Sequence, residues 1–276
     1  MPDLSDISVQ GHRLELAWHG PGPAAAPTLV LLHEGLGCVA AWRDWPAALA
    51  AATGLGVLVY SRRGYGRSEG RAPPWPLSYM HEEAALLPAL LAALAIVDPI
   101  LVGHSDGGSI ALIHAGTGSP RLRGLVTLAA HVYREPESFA AITAARDAYL
   151  HGDLRVRLGK YHHHVDDAFW GWCGAWLDPG FAAWNLESFL PGITAPSLVI
   201  QGDADPYGTL AQVDSITRGV RGPCTPRILP GCGHAPWRER AAETTAAIVD
   251  FTRTLLEPTN RAPRPPPQRP PSRSRA

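Results

Sequence analysis

No apolar run in this 276-residue sequence approaches the roughly 20 residues that a membrane-spanning helix needs. The opening stretch, MPDLSDISVQ, is acidic and has no apolar core of the kind a secretory signal carries. Cysteine is scarce. Cys38, Cys173, Cys224 and Cys232 are scattered, form no CxxC pair, and lack finger or ribbon spacing for zinc. They read as reduced thiols, and the chain as a cytoplasmic protein. Charge of one sign is also missing: the formal net charge is -1, so no global field draws nucleic acid or an anionic membrane surface. No internal repeat is visible.

What is present fits a globular domain with one large core, at 46% hydrophobic and 18% charged residues. ISVQGHRLELAWHG alternates apolar and polar residues, predicting two antiparallel strands. TLVLLH, LGVLVYS, PILVGH, GLVTLAAH and SLVIQG are short continuous apolar runs, as strands buried on both faces must be, and TPRILP adds a candidate. Helical patterns separate the early runs (AAWRDWPAALAAA, YMHEEAALLPALLAALA, GGSIALIHAG). The alternation predicts an α/β fold with a mostly parallel, doubly wound sheet.

It lapses between Tyr133 and Pro191 and resumes at Ser197. The expected organisation is therefore a core over 1–132 and 191–257, with a helical lid over 133–190 inserted between strands. The final segment, 258–276, is rich in proline and arginine and reads as a disordered tail.

One stretch carries chemistry. In ILVGHSDGGSIALIHA, Gly103-His104-Ser105-Asp106-Gly107 fits G-x-S-x-G between a strand and a helix, the context that motif requires. Small neighbours let the chain turn sharply and present the hydroxyl at the carboxyl end of the sheet. The helix that follows aims its N–H groups at the same point. A serine hydroxyl needs a base, and the base needs an orienting carboxylate. His234, in LPGCGHAPWRE, and Asp203 or Asp205, in LVIQGDADPYG, each lie on a loop after a candidate strand. Asp205 is favoured, because Asp203 stands at the strand end, where it can cap the turn. The chain order Ser, Asp, His is that of one known architecture.

With these residues in hand, the chain over about residues 5–256 resembles the α/β-hydrolase fold. LLHEGLG, YSRRGYGRS, GHSDGG and QGDADPYG…GCGH carry the resemblance. It implies an oxyanion hole made by the backbone N–H groups of Gly35 and Asp106. YSRRGYGRS resembles the family's D-x-R-G-x-G-x-S turn, with Ser61 where aspartate is usual, and Arg63 and Gly64 shaping the loop. Glu34 departs from the usual glycine. A carboxylate beside an oxyanion opposes its charge unless it is paired or points away. Two readings follow: a salt bridge to Arg43 or Arg63, or a contact to a cationic or hydrogen-donating part of the substrate. The dipole of the following helix accounts for an acid at Asp106. His104 is expected to pack under the turn.

The lid holds Trp170, Trp172, Trp176 and Trp184 with Phe169, Phe181 and Phe189. Trp170, Trp172 and Trp176 are candidates to line an apolar pocket. The run His162-His163-His164 is not read as a metal site, since successive helical residues diverge by about 100°. The expectation is a serine hydrolase that needs no cofactor and no metal, cleaving an ester or thioester of a small hydrophobic or aromatic substrate. Alternatives are a carbon–carbon bond hydrolase or an aminopeptidase of the same fold, and, in another class, a small-ligand receptor. A homodimer is left open.

Overall fold

The computed structural model describes residues 4–118 and 121–257, so the segment expected to be a tail lies outside them. Strands β1 (Leu4–Val9) and β2 (His12–His19) form an antiparallel hairpin. They are followed by β3 (Thr28–Leu32), α1 (Trp45–Thr53), β4 (Gly56–Tyr60), α2 (Tyr79–Ala93), β5 (Ile100–His104), α3 (Asp106–Gly116) and β6 (Gly124–Leu128). After β6 the chain leaves the sheet for α4 (Pro136–His151), α5 (Leu154–Leu158) and α6 (Val165–Leu177). It returns through β7 (Ser197–Gly202), α7 (Leu210–Gly219), β8 (Cys224–Leu229), α8 (Pro236–Glu239) and α9 (Ala241–Leu256). The eight strands form one sheet in the order β1-β2-β4-β3-β5-β6-β7-β8. β2 joins β4 antiparallel, and every pairing from β4 to β8 is parallel.

The continuous apolar runs are explained by two cores, one on each face. Leu29, Leu31, Val57 and Val59 point to the face covered by α1 and α9. Their neighbours Val30, Leu32, Leu58 and Tyr60 point to the face covered by α2, α3 and the helical insertion. Side chains alternate along a strand, so a strand covered on both sides has no position left for a polar residue. Each such side chain stabilises the fold by about 1.5–3 kcal/mol relative to exposure.

Chain order reverses at β3, which has β4 on one side and β5 on the other. Loops leaving the carboxyl ends of β3 and β5 diverge there and open a crevice, the usual ligand position in such sheets.

The turn after β4 is built differently from the D-x-R-G-x-G-x-S turn it resembles. Where an aspartate is usual, Ser61 is buried, and the carboxylate comes instead from Glu15 on β2. Glu15 accepts from the Ser61 hydroxyl at 2.7 Å and from the Arg67 N–H at 2.9 Å. Arg62, rather than Arg63, reaches the crevice: its guanidinium donates to the carbonyls of His33 and Glu34. Arg63 faces Glu82 and Glu83.

The insertion departs from expectation at its histidines. His162–His164 precede α6 rather than belong to it. His162 is drawn into backbone contacts, its Nδ1 accepting from the Gly66 N–H at 2.9 Å and its Nε2 facing the Leu36 carbonyl at 3.0 Å. Helix α6 itself is clasped by indoles. A Cβ on Gly171 would come within 2.0 Å of Trp75, and one on Gly35 within 2.0 Å of Trp172. Only glycine permits either approach.

Candidate active site

Ser105 stands between β5 and α3 with φ 52° and ψ -119°, a strained backbone for a residue with a side chain. Space is made by its neighbours. A Cβ on Gly103 would meet the Gly107 carbonyl at 2.2 Å, and one on Gly107 the Leu32 carbonyl at 2.1 Å. The turn is pinned by the Ser105 N–H donating to the Leu128 carbonyl at 2.9 Å.

His234, on the loop after β8, brings its Nε2 to 2.9 Å from the Ser105 Oγ. Its Nδ1 lies 2.9 and 2.8 Å from the two carboxylate oxygens of Asp205, on the loop after β7. Asp205 also accepts from Gln201 Nε2 at 2.7 Å and from the Tyr207 N–H at 2.8 Å. Burial acts to raise its carboxyl, but the hydrogen bond and charge of His234 outweigh it and hold the group below the usual carboxylate range. Asp203 is elsewhere, accepting from the Gly231 N–H at 2.6 Å.

Glu34 pairs with neither arginine expected for it. Its Oε2 lies 3.2 Å from His104 Nδ1, and it lines the cavity over Ser105. Burial would raise its carboxyl; the hydrogen bond and charge of His104 overcome this and hold it at about 2, so it is ionised. This partner lies 70 positions along the chain, beyond the reach of local sequence pattern. His33 beside it is neutral: burial, then the Arg62 charge, push its imidazole well down. It accepts from the Arg62 N–H at 3.1 Å and donates to the Glu34 carbonyl at 2.7 Å.

Gly35 and Asp106 both border the cavity. No acceptor within the protein takes the N–H of either, among the described residues. The Asp106 side chain turns away into the core, accepting from Tyr79 Oη and, at 3.2 Å, from Trp176 Nε1. Burial pushes its carboxyl up against the pull of Arg62.

The cavity measures about 220 Å³. Trp172 and Trp176 line it; Trp170 does not. Trp170 lies edge-on to Tyr149 and Phe169 instead. Two residues along a helix turn the direction by about 200°, so 170 and 172 cannot share a face, while 172 and 176 can. Ser138 and Ile142 of α4 also line the cavity, as do His131, Tyr207 and Trp237 and the charged pair Arg238 and Glu239. These were not singled out from sequence. His131 follows β6 by three residues, and proximity to a strand's carboxyl end is the signal that could have found it. Burial, then the neighbouring His234, push its imidazole down to about 3, so it is neutral. Among the described residues no group of three histidine, cysteine or acidic side chains is arranged to hold a metal, and no helix is long and apolar enough to cross a membrane.

Comparison with known proteins matches residues 29–248 to the alpha/beta hydrolase family. Human serine hydrolase BPHL is 27% identical over 173 residues, which cover 60% of this chain but only 59% of that protein. Epoxide hydrolase A of Mycobacterium tuberculosis is 27% identical over 312 aligned positions, covering 89% of this chain and 95% of the relative. The crystal structure of the enol-lactonase from Burkholderia xenovorans LB400 superposes with a TM-score of 0.73 at 23% identity, over 90% of this chain and 100% of that one.

Proposed function

The chain belongs to the alpha/beta hydrolase family, and from that premise we propose that it is a serine hydrolase cleaving an ester or thioester of a small, hydrophobic or aromatic substrate. The observation that carries this reading is the unbroken line of contacts from Ser105 Oγ through His234 to Asp205, at 2.9 and 2.8 Å. Ser105 attacks the acyl carbonyl while His234 Nε2 takes its proton. The N–H groups of Gly35 and Asp106 receive the oxyanion. His234 then protonates the departing alcohol or thiol, and water repeats the sequence on the acyl-enzyme. Asp205 holds the imidazole with Nδ1 protonated and stabilises the imidazolium.

The name of the mycobacterial relative suggests epoxide opening, but Ser105 favours acyl transfer. Epoxide opening through a covalent ester would call for a carboxylate at that position.

Size and lining narrow the substrate. A cavity of about 220 Å³ is below the roughly 300–1,000 Å³ of sites for drug-sized ligands. Trp172, Trp176 and Tyr207 offer flat apolar walls to a single ring or short acyl chain. Residues 133–190 act as the lid that supplies two of these walls. The ionised Glu34 at the cavity edge favours substrates carrying an ammonium or other hydrogen-bond donor, which brings aminoacyl esters and arylamides into range.

The test is hydrolysis of a panel by the wild type and the Ser105→Ala variant: aryl and alkyl esters of short and medium acyl chains, acyl-CoA thioesters and an aminoacyl arylamide. Turnover that is lost in the variant supports the reading, and the preferred member names the bond. No turnover on any member sinks it.

A further inference from the structure

His104 makes a contact that the chemistry above does not use. It is the last residue of β5, is buried, and directly precedes Ser105. Its Nε2 lies 2.6 Å from the backbone carbonyl of His234. A carbonyl only accepts, so Nε2 carries the hydrogen. Its Nδ1 meets both the Trp237 indole N–H and the Glu34 carboxylate, each at 3.2 Å. Nδ1 either accepts from the indole or donates to the carboxylate, one at a time, and the bond from Nε2 is kept in both arrangements.

Backbone groups on both sides of His234 have partners of their own. The N–H groups of Gly233 and Ala235 both donate to the Glu239 carboxylate, at 2.7 and 3.0 Å. The Cys232 carbonyl accepts from the Ala204 N–H at 3.0 Å, and the Ala235 carbonyl from Arg238 and Glu239. The His234 carbonyl has His104 as its partner. That carbonyl is bonded to the same residue's Cα, from which the imidazole projects. A tilt of this peptide swings Nε2 away from Ser105.

We infer that His104 is a positioning residue: by donating Nε2–H to the His234 carbonyl it ties the loop of the base to the residue before the nucleophile, and through Glu34 to the loop that carries Gly35. This rests on the reading of Ser105 and His234 as nucleophile and base. One imidazole thus joins the three loops that must keep register during acyl transfer, where a misplacement of about 1 Å can cost about 10²-fold in rate.

Three variants test it: His104→Gln, whose amide N–H reaches the Nε2 position, His104→Asn, whose amide reaches only the Nδ1 position, and His104→Leu, which has no donor. Each is compared with the wild type by kcat and KM on the best ester of the panel, by the rate of Ser105 labelling with a fluorophosphonate, and by thermal midpoint. The expected result is a loss of about 30–100-fold in kcat and labelling rate for Leu and Asn, with KM within about threefold. Gln returns to within about fivefold of wild type. Should Leu fail to fold, Asn against Gln carries the comparison. Equal rates for Gln and Asn in folded proteins, or a loss seen only in KM, overturn the inference. A wild type that the fluorophosphonate does not label at Ser105 overturns the serine-hydrolase reading itself, and this inference with it.

Discussion

The carboxylate of Glu15, on a strand of the antiparallel hairpin, accepts the hydroxyl of Ser61 at 2.7 Å at the end of the neighbouring β4. A carboxylate from one strand thereby holds the turn that leaves its neighbour. Glu15→Ala leaves the Ser61 hydroxyl and the Arg67 N–H without their acceptor in a buried site, at a cost of about 1–3 kcal/mol. Ser61→Asp sets a second carboxylate against the first and also destabilises. Combining Ser61→Asp with Glu15→Gln should be more stable than the sum of the single changes predicts. Urea denaturation of the four proteins measures the coupling.

Asp203 and Asp205 are two residues apart and are expected to behave differently. Asp205→Asn loses the carboxylate against His234 Nδ1 and should lower kcat by about 10³–10⁴-fold. Asp203→Asn keeps an oxygen for the Gly231 N–H. It should change kcat by less than about fivefold. A large loss in the second variant and a small one in the first would reverse the assignment.

Glu34 predicts a pH signature in stability. Its carboxyl is held at about 2, against an ordinary value of 4.5. Burial opposes the ionised form, and the bond and charge of His104 more than compensate. A lowered carboxyl stabilises the fold above its unfolded pKa, and that contribution disappears as pH falls through the folded one. The deficit of Glu34→Gln relative to wild type should therefore be full above about pH 4.5 and shrink toward about pH 2. Denaturation midpoints across that range check it; a deficit constant with pH would contradict the pairing.

The neutral His131 has the same sign at higher pH. Its folded value of about 3 lies below the unfolded 6.5. Between the two, the unfolded chain holds a proton that the folded one refuses, so wild-type stability falls on acidification by up to about 1.4 kcal/mol per pH unit for this group. His131→Gln cannot take up that proton. Its stability relative to wild type should rise as pH drops from about 6.5 toward about 4.

Local demands are the part of this architecture that can be read from the chain. The turn at Ser105 needs small residues within five positions, and strands covered on two faces need unbroken apolar runs, so both announce themselves. The order of Ser105, Asp205 and His234 needs no distance information either. What escaped is whatever depends on partners far along the chain. The strand PILVGH ending at His104 can be read from the sequence, but its place beside the strand that precedes Glu34 cannot, so Arg43 and Arg63 stand as the nearer candidates. Arg62 and Arg63 are adjacent and chemically alike; the alternation of the backbone decides which one enters the crevice. Trp170 and Trp172 are a separate case: their spacing of two on one helix already sets them on opposite faces, and only Trp172 lines the cavity. His162 lies in a run of three histidines and is distinguished only by Gly66 and Leu36, from two other loops.

Helix α6 is gripped at consecutive residues, Gly171 against the indole of Trp75 and Trp172 against the backbone of Gly35. Its distance from the sheet is therefore gauged by the thickness of aromatic rings. The helix over the cavity settles lower when one ring is exchanged for a smaller one, with Ser105, His234 and Asp205 anchored below it. Because Trp172 bears on Gly35 itself, a smaller ring there frees the loop beside Ser105 as well as the helix, whereas Trp75 grips the helix from outside the cavity.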